Sequence, residues 1–300
     1  MMKEFSVRAV FVSLWAVAAI ILVAMMAQNA SGRSGKIYNI SVLMRSPSDR
    51  FTKGMDQAAL EFNADLHILS GYADAQSQLE YLDREIAATD AVVMFPEDPA
   101  LAQDYLDQLR QRPPLITAMQ PLGGRQSAHV GPDDEALGRT LGEWIAQDEN
   151  EVCLILEPEE VMPYHAKRKD ALADALTSAG LACVIGQAAP NPESVKAASK
   201  SFTLIAVIDE SLLVPLCEVA TVNSALYGIG YDSYARQYLE SGRLSGLAVY
   251  SEYDAGYLSL RAAVLAAEGK NTESVMLSAL RANASNMYQE PIVNILFPIG

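Results

Sequence analysis

Cysteine, histidine and positive charge are all scarce in this chain. Three cysteines and three histidines among 300 residues leave little material for a metal centre. His67, His129 and His165 all stand away from ligand spacing to Cys153, Cys183 and Cys217, so no metal site is expected. The cysteines lie in apolar surroundings (EVCLIL, LACVIG and LLVPLCEVA) and read as three buried free thiols. Their odd number forbids complete pairing within the chain. Lys and Arg total 22 against 37 Asp and Glu, a formal net charge of −15. Nucleic-acid binding needs a basic footprint, which is missing here; the scattered acidic residues serve solubility. Phosphate loops of the GxxxxGK[ST] kind, GxSxG elbows and HExxH helices are absent too, so neither a cofactor nor catalysis is expected.

Long apolar runs are equally few. One exists, an uncharged stretch from Ala9 to Gly32 whose apolar part, Ala9 to Ala27, follows Lys3 and Arg8. That length spans a bilayer as a helix, and the basic flank favours an N-terminus in the cytoplasm with the remainder outside. A cleaved signal peptide is the competing reading. It is disfavoured because Ala30 has Gln28 two positions before it and Ala27 has Met25, where cleavage sites carry small residues. No cysteine near this segment could carry a lipid.

Beyond the polar linker NASGRSGK, strands and helices alternate. YNISVLM reads as a strand, GMDQAALEF as a helix with Met55, Ala58, Ala59 and Phe62 on one face, and LHIL as a strand. QSQLEYLDREIAA, DAVVMF, PALAQDYLDQLRQR and PLITAM continue as helix, strand, helix and strand. The order starts afresh at EVCLIL: helix KRKDALADALTSAG, strands ACVIG and FTLIAVI, helix ESLLVPLCEVA, strand ALYGIG, helix YARQYLESG and strand LSGLAVY. Continuous apolar strands alternating with helices predict parallel sheets covered on both faces. Two α/β lobes are the economical reading, with the seam in HVGPDDEALGRTLGEWIA, where a strand end, a carboxylate pair and an amphipathic helix meet. Asp133 and Asp134 read as a hinge and helix cap in preference to a metal or catalytic pair.

Ligands of doubly wound sheets gather at the carboxyl ends of strands. Those ends here carry Arg45, Ser46, Ser48 and Asp49; Pro96, Glu97 and Asp98; Gln120; Glu157 and Glu159; Asp209 and Glu210; and Tyr231 and Asp232. A rim so rich in carboxylates, amides and aromatics suits a hydroxylated ligand. Each has a plainer alternative: Asp209 and Asp232 as helix caps, Glu97 and Asp98 as the helix start before Pro99, and Phe51, Tyr231 and Tyr250 as core aromatics.

From Ile37 to Asn271 the ordered landmarks FTKGMDQAA, QLEYLDREIAATDAVVMFPED, VGPDDEALGRTLGEWIA, AKRKDALADAL, IAVIDES and GIGYDSYARQYLESGRLSGLAVYSEYDAGYLSLRAAVLAAEGK resemble the type I periplasmic-binding-protein family. The likeness is strongest to ribose and galactose type sugar binders, whose ligand domain is shared with repressors of the lac type. The resemblance implies two doubly wound parallel-sheet lobes joined by hinge strands. Lobe 1 is expected over 36–132 and 251–282, lobe 2 over 133–250 and 283–300, after a 1–35 anchor and linker. It implies hinges near Asp133, Ser251 and the C-terminal PIVNILF. The ligand set expected from it and from the strand ends is Asp49, Phe51, Glu97, Gln120, Arg168, Asp209, Tyr231, Asp232 and Tyr250. Arg168 stands at the family's sugar-binding arginine, or begins a solvated basic helix with Lys167 and Lys169. The chain departs from the family pattern with one aromatic, Phe51, in the first-strand loop, Met119 and Gln120 after the fourth strand, and Ile208 before Asp209. SDRF and NMYQEPIVNILFPIG further resemble anchored extracytoplasmic sugar-binding-like proteins that accompany sugar transporters or sensor kinases. The implied function is closure on a small polar ligand, a carbohydrate, presented to an ABC-type permease; the alternatives are a sensory subunit of a histidine kinase or a ligand-independent interaction module.

Overall fold

The computed structural model describes residues 36–109, 112–124, 126–148 and 152–298. The expected spanning segment, Ala9 to Gly32, lies outside them, and among the described residues no helix is long and apolar enough to cross a membrane.

The first lobe runs β1 (Tyr38–Leu43), α1 (Asp49–Phe62), β2 (Ala64–Leu69), α2 (Ala75–Glu85), β3 (Ala91–Met94), α3 (Pro99–Gln108), β4 (Leu115–Ala118) and β5 (Ala128–Pro132). The second runs α4 (Asp134–Asp148), β6 (Cys153–Pro158), α5 (Pro163–Ser178), β7 (Cys183–Ala188), α6 (Pro192–Ser199), β8 (Leu204–Val207), α7 (Leu213–Val219), β9 (Ala225–Ile229), α8 (Arg236–Glu240) and β10 (Gly246–Val249). The chain then returns through α9 (Glu252–Ala267) and β11 (Val275–Leu277) to the first lobe and crosses again to β12 (Leu280–Ala282) and α10 (Ile292–Leu296). Two six-stranded sheets result, ordered β11-β5-β4-β3-β1-β2 and β12-β10-β9-β8-β6-β7. The first is parallel throughout, and the second is parallel except for β12 against β10.

The expected parallel α/β pattern is present because AVVM, LITA and LIAV in β3, β4 and β8 turn no residue to solvent on either face; Thr117, their one polar member, is buried 3.0 Å from His129 Nδ1. Each sheet carries an apolar cluster on both faces. In the first lobe Phe51, Met55, Leu260 and Val264 cover one side while Leu79, Leu82 and Leu106 cover the other.

Four details differ from the sequence expectation. The third crossing falls at Ser278 and Ala279: Leu280–Ala282 pairs with β10, so these residues belong to the second sheet, whereas lobe 1 was expected to run to 282. PIVNILF is no hinge strand, because Ile292, Ile295 and Leu296 are drawn into the second core as α10. Helix α6, opened by the Asn191 cap and Pro192, stands between strands that were read as consecutive. Of the cysteines, Cys153 and Cys217 are buried and free, whereas Cys183, at the start of edge strand β7, is half-buried.

Both lobes rest on a helix pair packed at backbone distance. A Cβ on Gly54 of α1 would lie 2.0 Å from the Tyr253 carbonyl oxygen of α9, and one on Gly256 would lie 2.0 Å from the Phe51 carbonyl oxygen. In the second lobe a Cβ on Gly138 of α4 would sit 2.1 Å from the Arg168 carbonyl oxygen of α5. Backbone cannot retreat as a side chain can. Gly54→Ala is therefore expected to destabilise the protein by about 1–3 kcal/mol or more through overpacking, read from its urea midpoint; an unchanged midpoint would show that α1 and α9 can separate freely.

Candidate functional site

The carboxyl ends of β1, β3 and β4 face those of β8 and β10 across the gap between the lobes. The N-termini of α1 and α9 stand at the same place. Ser48 caps α1 by accepting from the Phe51 N–H at 3.2 Å, and Ser251 caps α9 by accepting from Asp254 at 3.0 Å. These turns hold a cavity of 250 Å³. Lobe 1 supplies Met44, Arg45, Phe51, Phe95, Glu97 and Met119, and the opposite wall is Glu210 and Tyr250, with Glu252 at the crossover. Met119 holds a φ of 64°, disfavoured for a residue with a Cβ. A second cavity of 410 Å³ opens beside it, between Asp49 and Lys53 on one side and Tyr231, Asp232 and Phe297 on the other. Ser48 and Glu210 border both.

Arg50 crosses the gap between the lobes. Its guanidinium donates to the Tyr231 carbonyl at 2.6 Å, pairs with Glu252 at 3.0 Å and lies 4.7 Å from the centre of the Tyr231 ring. The Ser48 hydroxyl donates to the same Glu252 carboxylate at 2.6 Å. One arginine of lobe 1 thus holds the end of β9 in lobe 2.

The residues expected to bind ligand divide into two groups. Phe51, Glu97 and Tyr250 line the smaller cavity, and Asp49, Tyr231 and Asp232 line the larger one. Gln120 is buried behind them, donating to the Pro96 carbonyl at 3.1 Å. Asp209 accepts from Ser211 and lies 2.9 Å from His165 Nε2, as a structural cap. Arg168 is neither a free ligand clamp nor a solvated helix start: it is buried, donating to Asp134 at 2.8 Å and to the Ile208 carbonyl at 3.3 Å, with Tyr164 below its plane. The carboxylate pair at the seam accordingly splits its work. Asp133 caps α4 by accepting from the Ala136 N–H, and Asp134 neutralises Arg168. Arg50, Phe95 and Glu252 were missed as ligand-site residues and Glu210, though named at a strand end, was left out of the expected set; the crossover position of Glu252, directly after β10, was a usable signal.

Burial dominates the electrostatics. Desolvation raises the Glu97 carboxyl against the pull of Arg45, 2.7 Å away, and Glu160 adds to the rise. Glu210 is exposed to water at the open gap, while the protein mass around it pushes its carboxyl up to about 7, helped by Glu252 and Asp209 and opposed by Arg50 and Arg168. For Asp209 burial acts upward as well, yet the hydrogen bonds from His165 and Ser211 win and hold it at about 2. A broader groove of 890 Å³ lies outside lobe 2 between α4 and α5. Its floor is alanine, and no strand end reaches it. The interlobe cavities are where polar groups from both lobes converge.

The family model described as periplasmic binding protein domain matches residues 40–271. Among curated protein sequences none matches the chain. Solved structures share the fold at low identity. A glucose-galactose binding protein from Geobacillus stearothermophilus is 16% identical with a TM-score of 0.75, covering 84% of this chain and 99% of its own. A carbohydrate transporter solute binding protein from Agrobacterium radiobacter, in complex with D-arabinose, is 16% identical with a TM-score of 0.76 over 87% and 99%. An ABC transporter solute binding protein from Bacillus halodurans with bound myo-inositol is 18% identical with a TM-score of 0.73 over 85% and 96%.

Two outcomes are expected from these contacts. Arg168→Met should cost about 3–5 kcal/mol in denaturant unfolding, because it strands the buried Asp134 charge, and Asp134→Leu in the same chain should recover much of that loss; an Arg168→Met protein of unchanged stability would remove the structural role. Arg50→Ala should loosen the lobes and raise the radius of gyration in X-ray scattering, and identical scattering would show that the bridge does not set the opening.

Proposed function

The chain belongs to the periplasmic binding protein domain family, and on that premise we propose that it is an extracytoplasmic solute-binding protein that closes on a small carbohydrate. The observation that carries this reading is the 250 Å³ cavity to which both lobes bring strand-end side chains. Each lobe alone offers half a set of contacts, so a solute touching both favours the closed arrangement over the open one. The volume lies below the roughly 300 Å³ at which drug-sized pockets begin, which suits a single sugar ring better than an oligosaccharide. Hydroxyl groups meet Arg45, Glu97, Glu210 and Glu252 as donors and acceptors, while Phe95 and Tyr250 offer apolar faces.

The closed state is read by a membrane partner, an ABC-type permease, with the binding lobes held outside the cell by the segment Ala9 to Ala27. A sensory subunit that reports occupancy to a histidine kinase is the second reading, favoured by that spanning-length segment and its basic flank.

Thermal unfolding of the full chain in mild detergent, against a panel of pentoses, hexoses, cyclitols and amino sugars, tests the proposal. A true ligand at about a hundred times its dissociation constant adds about 2.7 kcal/mol. Glu97→Gln should weaken that ligand by about tenfold or more, since a charge-assisted hydrogen bond contributes about 1.5–3 kcal/mol. A panel without any shift would overturn the solute-binding role.

A further inference from the structure

The charges around the smaller cavity do not cancel. Arg45 is taken by Glu97 at 2.7 Å, and Arg50 by Glu252 and the Tyr231 carbonyl. Glu210 remains. Its carboxylate borders both cavities, and among the described residues no hydrogen bond or ion pair engages it.

The charged groups facing Glu210 come from four directions, and each cation among them is committed elsewhere. Glu252 stands at the start of α9 and Asp209 at the end of its own strand, both adding negative potential. Arg50 approaches from α1 and Arg168 from α5, but they neutralise Glu252 and Asp134 respectively. The neighbouring cavity contributes Asp49 and Asp232 against a single Lys53. This carboxylate is exposed to the cleft and flanked by Glu252 and Asp209, so its negative charge has no cation of its own to balance it; the surrounding protein and those two acids raise it to about 7. A neutral sugar can hydrogen-bond to that carboxylate but leaves its charge unbalanced. An ammonium group answers it with a charge-assisted hydrogen bond, and the rings of Phe51, Phe95 and Tyr250 beside it suit a cation as well as a sugar face.

We propose that the cleft selects a small polyhydroxylated amine, of amino-sugar or aminocyclitol type, whose ammonium group pairs with Glu210 while its hydroxyls reach the arginines and glutamates of the cavity wall. The inference rests on the reading of this cleft as a solute site and names its ligand class. Sugars bearing a carboxylate or phosphate are excluded by the same field.

The test is calorimetric titration of the full chain in detergent with matched pairs: D-glucosamine and D-glucose, D-galactosamine and D-galactose, D-mannosamine and D-mannose. At least one amine should bind about tenfold or more tightly than its hydroxyl counterpart, a difference of about 1.4 kcal/mol. At a pH about half a unit below the Glu210 midpoint, amine binding should release a proton, seen as heat that varies with the buffer's ionisation enthalpy, because pairing drives the carboxyl to ionise. Glu210→Gln should abolish both the preference and the proton release; Glu210→Asp, which keeps the charge, should retain the preference. A hydroxyl sugar that binds as well as its amine overturns the ligand class and leaves the solute-binding reading standing. A preference that survives in Glu210→Gln overturns the assignment to Glu210, and a panel in which nothing binds overturns both.

Discussion

The guanidinium of Arg50 meets three demands at once: the carboxylate of Glu252, the carbonyl at the end of β9 and the face of Tyr231. Each demand comes from a different part of the chain. Glu252 begins the helix that returns to the first lobe, Tyr231 closes a strand of the second, and Arg50 itself sits in the first turn of α1. Their meeting bridges the two sheets' carboxyl edges, beside the two compartments of the space between them. It also commits a cation that would otherwise balance Glu210 without a ligand's help. The chemistry left over for a solute is therefore a product of how the lobes are tied, as much as of which residues line the wall.

The two lobes solve the same packing problem alike. In each, a helix that follows a crossover lies against a neighbour so closely that only glycine fits, at Gly54 and Gly256 in one and at Gly138 in the other. Such contacts fix the helix axis to within a fraction of an ångström. They bring the first turns of α1, α4 and α9 to the cleft with their caps formed and their acidic groups placed. Without that rigidity, a strand-end carboxylate would relax toward water and its affinity for a solute would be diluted.

Much of the fold was legible because burial on both faces leaves a plain mark: AVVM, LITA and LIAV can be nothing but central strands. Strands β11 and β12 left no such mark, since three residues are too few to show a period and their pairing depends on sheets built from distant sequence. In the cleft, Glu97, Tyr231 and Asp232 follow from strand ends alone. Arg50 and Glu252 do not: each lies inside a first helical turn, and 202 residues separate the pair. Arg168 illustrates the opposite error. The resemblance offered it a ligand, but the acid 34 residues earlier had claimed it, a partnership that only the close approach of α4 and α5 brings about.

Helix α9 begins at the cleft with Glu252 and ends beside the start of β1. At sixteen residues it is a stiff rod of about 24 Å. Beyond its far end Glu268 accepts from the Tyr38 hydroxyl at 3.1 Å and pairs with Lys270 at 2.6 Å. Tyr38 opens β1. One continuous rod thereby links Glu252 at the cleft to Tyr38 at the start of β1.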